Sequence, residues 1–164
     1  MDGYIREMRA EDGPKVLEIY EFGLETRNAT FETRTPSWKD WDEKHHRHSR
    51  FVYVEENEVV GWVALAPMSQ RKVYSGVAEV SIYLSAKALG RGIGTELMRR
   101  VVESSEDHGI WTLYSSVFPE NAATVRLHKK CGFREVGIRE RIACLDGVWR
   151  DTLILERRSR TVGI

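Results

Sequence analysis

The sequence predicts an α/β fold in which helices are inserted between the strands of one mixed sheet. An apolar strand pattern, a glycine-rich loop and an amphipathic helix pattern follow one another directly from Val77 to Met98. Antiparallel strand pairs with short turns are predicted near both ends of the chain. Since 164 residues are the size of one ordinary domain, we expect a single domain over residues 1–164.

The first third of the chain combines a strand, two helices and a hairpin. A strand is expected from Tyr4 to Met8, and Asp12-Gly13-Pro14 begins a helix. The apolar stripe of that helix contains Val16, Tyr20 and Leu24. After a loop over residues 29–34, Thr35 is expected to cap a second helix with Pro36 at its first position.

Two apolar segments, Arg50–Glu55 and Val59–Ala66, flank a polar turn and predict a β-hairpin. The strand predicted at Val77–Leu84 alternates between two faces, and the helix after the glycine loop repeats apolar residues every four positions. That helical stripe consists of Ile93, Leu97 and Val101. Trp111–Val117 is a further expected strand.

The last third predicts a short helix and a hairpin. Asn121 is a good N-cap, and Gly132 is a natural helix terminator. The segments Phe133–Cys144 and Val148–Leu155 then form a hairpin around Asp146-Gly147, which is a strong turn signal.

Composition argues against several classes of function. Lysine plus arginine and aspartate plus glutamate both total 25, so no net charge favours nucleic acid as a partner. No apolar run reaches the roughly 20 residues of a membrane helix, and no secretory leader pattern is present. The two cysteines, Cys131 and Cys144, offer no disulfide framework. We therefore expect a cytoplasmic protein without nucleic-acid or membrane partners.

The glycine loop has the properties of an anion cradle. Gly90, Gly92 and Gly94 let successive backbone N–H groups turn toward one point, and the positive dipole end of a helix starts there. The dinucleotide fingerprint would need a third glycine where this chain has Thr95, and the Gly-Lys-Ser/Thr of a P-loop is absent. A different diphosphate-binding family is therefore indicated.

The frame Leu89-Gly90-Arg91-Gly92-Ile93-Gly94 resembles the acetyl-CoA loop of the GCN5-related N-acetyltransferases (GNAT). A second block, Asn121 to Phe133, agrees in order and spacing, because family members carry an Asn, a helix, and a Tyr or His before Gly-Phe. Leu89 departs from the usual Gln or Arg of the family. The resemblance implies mainly backbone contacts to the diphosphate, which do not depend on that side chain.

A closer similarity links the chain to the phosphinothricin and methionine-sulfoximine acetyltransferases. The segments that carry it are Ala29–Thr33, Ala78–Leu84, Val125–His128 and Asp146–Trp149. The histidine that follows the hairpin tryptophan in that branch is Arg150 here. The resemblance implies a GNAT fold with a mostly antiparallel sheet splayed at the acetyl-CoA site, about four flanking helices, and a homodimer.

Acetyl transfer to an amine requires an uncharged amine, so a carboxylate that removes a proton is the first group to seek. Glu79 lies inside an apolar strand, and the resemblance places it beside the thioester as general base. The alternative is a structural ion pair with an Arg or Lys. His128 stands where many family members have a Tyr near the sulfur, so we expect it to act as the acid; a packed or surface histidine is the alternative.

The resemblance also implies a cofactor-binding set. Backbone groups of Ile82, Tyr83 and Leu84 would pair with the pantetheine arm. Backbone amides of the glycine loop would bind the diphosphate, Arg91 would add a positive charge, and Asn121 would bond the pantetheine or only cap its helix. The expected residues are Ile82, Tyr83, Leu84, Gly90, Arg91, Gly92, Ile93, Gly94, Thr95, Asn121 and Thr124.

For the acceptor, Phe31, Arg71 and Tyr74 resemble the substrate walls of the branch. An arginine fork suits a carboxylate or phosphinate, although Arg71 is equally well explained as a solvated loop charge. No metal is expected, because the histidines of His45–His48 lack nearby Cys or acidic ligands to complete a tetrahedral set.

Together these features predict an acetyl-CoA-dependent N-acetyltransferase that acts on a small amino-acid-like amine by direct transfer in a ternary complex. Cys131 has no evident activating base, so no covalent enzyme intermediate is expected. Two alternatives stay open. One is an acetyltransferase for a protein N-terminus or a polyamine, and the other is a CoA-binding regulatory module without turnover.

Overall fold

The computed structural model describes residues 2–164 and shows an α/β fold with one seven-stranded sheet in the order β1-β2-β3-β4-β5-β7-β6. The strands are β1 (Tyr4–Glu7), β2 (Phe51–Glu55), β3 (Glu58–Pro67), β4 (Val77–Leu84), β5 (Thr112–Val117), β6 (Arg134–Leu145) and β7 (Val148–Arg158). The helices are α1 (Gly13–Glu25), α2 (Trp38–Lys44), α3 (Ile93–Asp107) and α4 (Ala122–Lys130). The expected mixed sheet with four helices is confirmed.

The sheet has a hydrophobic core on each face because β2 and β3 alternate their buried side chains between two layers. Val52, Val54 and Trp62 pack with α1 and α2 on one face. Phe51, Val63 and their neighbours pack with α3 on the other face, where the predicted stripe Ile93, Leu97 and Val101 is buried. Both faces of the central strands are therefore covered, as in a three-layer α/β fold.

The start of α2 differs from the expectation. Thr35 was expected to be its cap, but the helix begins at Trp38 and its N-cap is Ser37. The Ser37 hydroxyl accepts a hydrogen bond from the backbone N–H of Asp40 at 3.1 Å. The prediction of Thr35 was wrong because Ser37 satisfies the first free helical amides and leaves Pro36 outside the helix.

The sheet opens in its middle, between β4 and β5. These two strands run parallel and pair at Val77 with Thr112, Ala78 with Leu113, and Glu79 with Tyr114, whereas the other neighbouring strands are antiparallel. Beyond Glu79, β4 stays paired with β3 as far as Leu84. The backbone pairing of β4 with β5 ends at Glu79, although the Ser115 hydroxyl still donates to the Val80 carbonyl oxygen at 3.4 Å. The opening between residues 81–84 and residues 116–117 is named the β4–β5 cleft, and it is the expected splay.

At the end of α2, His45 packs its ring against aromatic side chains. Its side chain is buried, its ring stacks on Trp41 with centroids 4.0 Å apart, and its Nδ1 lies 2.6 Å from the Trp41 carbonyl oxygen. Burial disfavours the charged imidazole and lowers the pKa of His45 from 6.5 to about 4. The folded protein therefore keeps His45 neutral where the unfolded chain begins to protonate.

We expect the free energy of unfolding to decrease as the pH falls from about 6.5 to about 4, since the unfolded state binds the His45 proton first. The contribution of His45 is fully present above the unfolded pKa, and about 2 kcal/mol of it is lost by pH 5. Replacing His45 with Gln should flatten this part of the profile in urea unfolding at pH 7.5 and pH 5. Arg47→Gln, a change at an exposed neighbour, is the control and should show the same dependence of the free energy of unfolding on pH as wild type. If the His45 variant also showed the wild-type dependence, the prediction would be contradicted.

Candidate active site

Glu79 lies at the last paired position before the β4–β5 cleft. Its register partners are Ala66 on β3 and Tyr114 on β5. Burial raises the pKa of Glu79, while the nearby charge of Lys44 and the Tyr114 hydroxyl act in the opposite direction. Among residues 2–164, no Arg or Lys forms an ion pair with its carboxylate. The carboxylate is therefore available to accept a proton from a group in the cleft.

Tyr114, the register partner of Glu79 on β5, was not among the site residues expected from the sequence. Burial and the charge of Glu79 raise the pKa of Tyr114 to about 12, so its hydroxyl keeps its proton near neutral pH. Its place beside Glu79 follows from the register of two strands that are far apart in the chain. An aromatic residue in a strand gives no local signal of such a partner.

The glycine loop presents a run of free backbone donors. Gly90 and Gly92 have φ angles of +70° and +83°, and a Cβ at either position would meet nothing within 4 Å. None of the six consecutive N–H groups from Gly90 to Thr95 has a hydrogen-bond acceptor in the described part of the chain, residues 2–164. The first α3 amide with a backbone acceptor is that of Glu96, which donates to the Gly92 carbonyl oxygen at 3.2 Å. Such a run at a helix N-terminus suits an anion.

The Arg91 side chain, which was expected to add a positive charge to the loop, forms an ion pair with Glu55. Its guanidinium forms a two-point contact with the Glu55 carboxylate, with Nη1–Oε2 and Nη2–Oε1 distances of 3.0 and 2.5 Å. Glu55, at the end of β2, thus pairs with this side chain. The contribution of the Arg91 charge to diphosphate binding stays a prediction. The backbone amide of Arg91 still belongs to the free run.

The residues Ile82, Tyr83 and Leu84 form the β4 side of the cleft. On their other edge they pair with β3. The Tyr83 ring packs edge-on against Tyr20 at 4.9 Å and stacks on Trp62 at 5.1 Å. The Tyr83 side chain thus packs against the α1 and α2 layer, while its main chain borders the cleft. This packing leaves the main-chain groups on the cleft side available to a cofactor.

Helix α4 begins with the predicted cap and crosses beside the cleft. Asn121 Oδ1 accepts a hydrogen bond from the Thr124 N–H at 3.3 Å, and its Nδ2 donates to the Asn28 carbonyl oxygen at 3.3 Å. The N-cap prediction for Asn121 is confirmed. Both ends of the side chain are already engaged by protein groups.

His128 lies inside the protein, with 2% of its surface exposed. Its Nδ1 lies 2.7 Å from the Thr124 carbonyl oxygen, and its Nε2 lies 2.8 Å from Ser115 Oγ on β5. The carbonyl can only accept, so Nδ1 carries the proton. Burial lowers the pKa of His128. These contacts make His128 a link between α4 and β5, and its role as an acid stays a prediction.

A cavity of about 230 Å³ lies on the α1 and α2 face of the sheet. Glu79 does not line it, but Lys44, which does, is close enough for its charge to offset part of the burial effect that raises the pKa of Glu79. Ser81, one of its lining residues, lies on the same face of β4 as Glu79. The Nε1 of the buried Trp62, another lining residue, has no hydrogen-bond partner among residues 2–164. The full lining of the cavity consists of Tyr20, Glu32, Arg34, Pro36, Asp40, Trp41, Lys44, His45, Trp62 and Ser81. The cavity thus combines aromatic walls with charges of both signs.

The three residues expected to bind the acceptor are not among those lining this cavity. The Arg71 guanidinium stacks over the Tyr74 ring at 5.5 Å, on the exposed connection between β3 and β4. Phe31 packs edge-on against Phe118 with centroids 4.9 Å apart. Their substrate roles stay predictions, and the cavity residues Arg34, Lys44 and Glu32 were missed because nothing local in the sequence marks them.

Among residues 2–164, no group of three or more His, Cys, Asp or Glu side chains is arranged to hold a metal ion. In the same part of the chain, no helix has the length and apolar character needed to cross a membrane.

Comparisons with known proteins agree with this geometry. The model of the acetyltransferase (GNAT) family matches residues 13–133. A protein of Bacillus subtilis (strain 168) named "Putative phosphinothricin acetyltransferase YwnH" is 33% identical over 147 residues, which cover 87% of this chain and 90% of that protein.

Two solved structures share the fold. A GNAT superfamily phosphinothricin acetyltransferase from Sinorhizobium meliloti, in complex with acetyl-CoA, has a TM-score of 0.89 and 25% identity, covering 99% of this chain and 91% of that one. A ribosomal-protein-alanine N-acetyltransferase from Brucella melitensis has a TM-score of 0.89 and 26% identity, covering 95% of this chain and 99% of that one. With its splayed sheet, its glycine loop and a family match over most of its length, the chain belongs to the acetyltransferase (GNAT) family.

Proposed function

We propose that this enzyme transfers an acetyl group from acetyl-CoA to the amine of a small amino-acid-like acceptor, within one domain spanning residues 1–164. The observation that carries the proposal is the position of Glu79. Its partly buried carboxylate, without an ion-pair partner among residues 2–164, lies at the start of the β4–β5 cleft. Two residues further along β4, Ser81 lines the charged cavity. A base between a donor site and an acceptor site is what amine acetylation requires.

The residues on the cleft fit the cofactor. The free amides from Gly90 to Thr95 would hold the diphosphate, and the main chain of Ile82, Tyr83 and Leu84 would hold the pantetheine arm. The open space at Gly90 and Gly92 leaves room for the phosphate oxygens. Acetyl-CoA, when bound, supplies the acetyl group as an activated thioester. The Sinorhizobium meliloti relative, which was crystallised with acetyl-CoA, supports this assignment.

In the proposed mechanism, Glu79 accepts a proton from the acceptor ammonium, directly or through a water molecule, and so leaves a neutral amine. The Tyr114 hydroxyl keeps its own proton and helps to hold the carboxylate in place. The neutral amine would then form a C–N bond with the acetyl carbonyl carbon while the C–S bond of the thioester breaks. The CoA thiolate would leave and take up the further proton that the nitrogen loses. Burial raises the pKa of the Cys131 thiol, which argues against a thiolate nucleophile and a covalent enzyme intermediate.

The charged cavity supports an acceptor that carries both charges. Lys44 and Arg34 provide positive charge for a carboxylate, phosphinate or sulfonyl group, and Glu32 and Asp40 provide negative charge for an ammonium group. The aromatic walls suit a short apolar side chain. The Bacillus subtilis relative, whose name refers to phosphinothricin, supports the same class of acceptor.

An amine panel tests the proposal. Phosphinothricin, methionine sulfoximine and methionine sulfone would be compared with an alanine-starting peptide and spermidine, by following the release of free CoA thiol. We expect the amino-acid-like compounds to have the highest kcat/KM. A preference for the peptide would favour the alternative of an acetyltransferase for a protein N-terminus and would overturn the proposed acceptor class. The Brucella melitensis protein is named a ribosomal-protein-alanine N-acetyltransferase, so a protein acceptor is included in the panel.

A homodimer is also part of the proposal, together with a cytoplasmic location, which the two free cysteines support. The hairpin β6–β7 ends the sheet with a long edge strand whose residues are almost all exposed. The exposed apolar side chains on the hairpin are Val136, Ile138, Ile142, Val148 and Trp149. An uncovered apolar edge of this length favours association with a second copy.

We expect the double change Ile138→Glu and Val148→Glu to convert the dimer into a monomer, because two carboxylates would be buried at the contact. Light scattering coupled to size-exclusion chromatography measures the mass directly. The change Ile164→Glu, at a fully exposed residue on the C-terminus, serves as the control. A wild-type protein that elutes as a monomer would contradict the proposed dimer.

A further inference from the structure

We propose that Arg150 is a positioning residue that holds the loop between α1 and α2, here named the acceptor loop (residues 26–37), in the shape that completes the acceptor cavity. The inference rests on the proposed function, because it assigns this cavity to the acceptor. Arg150 lies on β7, and it occupies the place where the sequence departs from the histidine of the related branch.

The guanidinium of Arg150 donates hydrogen bonds to two groups at the start of the acceptor loop. Its Nη1 donates to the Arg27 carbonyl oxygen at 2.6 Å, and its Nη2 donates to Asn28 Oδ1 at 3.2 Å. The same Nη2 lies 3.4 Å from a Glu120 carboxylate oxygen. Only 17% of the Arg150 side-chain surface is exposed, so these contacts are partly shielded from water.

An aromatic pair links Arg150 to a residue further along the acceptor loop. The Arg150 guanidinium lies over the Phe118 ring, 3.8 Å from its centroid, and Phe118 is almost fully buried. Phe31, in the middle of the acceptor loop, packs edge-on against the same ring. The cation, the buried ring and the loop aromatic form one continuous contact, which fixes the loop at a third point.

The acceptor loop also touches α4 and the β6–β7 turn. Asn121, the cap of α4, donates to the Asn28 carbonyl oxygen at 3.3 Å. The Arg27 guanidinium pairs with Asp146 in the turn at 3.2 Å, but both side chains are about half exposed. Arg150 is the most buried charged member of this group, so its removal should affect the loop most.

The loop matters for the acceptor because it carries part of the cavity wall. Glu32 and Arg34, which lie a few residues beyond the Arg150 contacts, line the cavity. The loop contains no α-helix or strand, so its position depends on contacts made by its side chains and carbonyl groups. An imidazole offers two ring nitrogens, whereas the guanidinium fork offers five donors to bridge two loop groups at once.

Steady-state kinetics of the full chain tests the inference. Arg150→Ala should raise the KM for the best acceptor of the amine panel about tenfold, with kcat changed less than about threefold and the KM for acetyl-CoA unchanged. Arg150→Lys, which keeps the charge but loses the fork, should give an intermediate KM. The control is Arg134→Ala, which breaks an exposed ion pair with Glu156 on the same hairpin and should leave all three constants unchanged.

Limited trypsin digestion gives a second readout that does not depend on activity. Arg27 and Arg34 are exposed cleavage sites on the acceptor loop, and a loosened loop should be cut there at least about fivefold faster in Arg150→Ala than in wild type. Mass spectrometry identifies the cut. Faster cleavage with an unchanged acceptor KM, or unchanged cleavage, would overturn the inference. Faster cleavage in an enzyme that acetylates none of the small acceptors would instead contradict the proposed function.

Discussion

Replacing Glu79 with Gln is expected to lower kcat at neutral pH by about 10²- to 10⁴-fold, the range typical of lost acid–base catalysis. Gln keeps the size of the side chain and its place beside Tyr114 but cannot take a proton. In the proposed mode of binding, acetyl-CoA contacts main-chain amides elsewhere, so its dissociation constant, measured by calorimetry, should be unchanged. A regulatory CoA-binding module would show the same binding with no turnover in either protein.

The pH dependence adds a sharper test of Glu79. Because burial raises the pKa of this carboxyl, wild-type kcat/KM should fall on the acid side at a pH above the ordinary value of 4.5. The decrease in kcat/KM on the acid side should be absent from the residual activity of the Gln variant. The exposed change Glu103→Gln on α3 is the matched control and should leave the profile unchanged. Full turnover in the Glu79 variant would remove this residue from the mechanism.

Replacing Gly92 with Ala is expected to weaken acetyl-CoA binding by about tenfold or more. The φ of +83° disfavours any residue with a Cβ, at a cost of about 1–2 kcal/mol, and relaxation of the loop would turn its free amides away from their common point. The new methyl group would also enter the open space above the loop. Calorimetric titration with acetyl-CoA measures the effect.

Gly109→Ala is the matched control for Gly92. Gly109 has a similar φ of +76° and open space around its Cβ position, but it follows the far end of α3. The backbone strain is therefore alike in the two variants. A difference between their affinities for acetyl-CoA then reports the contribution of the glycine loop itself. Equal affinity for acetyl-CoA in both variants would contradict the assignment of the loop.

Much of this fold is encoded locally. The strand, loop and helix order from Val77 to Asp107 follows from alternation, glycine spacing and a four-residue apolar repeat, and the structure agrees. The Asp146-Gly147 turn likewise needs no distant contact. Thr35 shows the limit, because two neighbouring residues were both able to cap a helix and only the folded backbone decided in favour of Ser37.

The candidate site was less predictable because its parts meet through strand register and side-chain packing. Glu79 was found because a carboxylate in an apolar strand is unusual, but its neighbour Tyr114 comes from a strand 35 residues away in the pairing. The pairing of Arg91 with Glu55 could not be predicted either, because Glu55 lies on a strand that is distant in the sequence. Arg150 stands out in the sequence because it replaces the histidine that follows the hairpin tryptophan in the related branch. Its hydrogen bond to Asn28, however, joins residues that only the folded chain brings together.

The two hydrophobic layers on opposite faces of the sheet have an evolutionary consequence. The cavity proposed to bind the acceptor is built from the α1 and α2 layer, whereas the run of free amides begins the helix that packs on the opposite layer. Substitutions that reshape the first layer leave the packing beneath the other nearly untouched. A chain of this design can be retargeted to a new amine by a few changes around α2 and the preceding loop, while it inherits its donor chemistry intact.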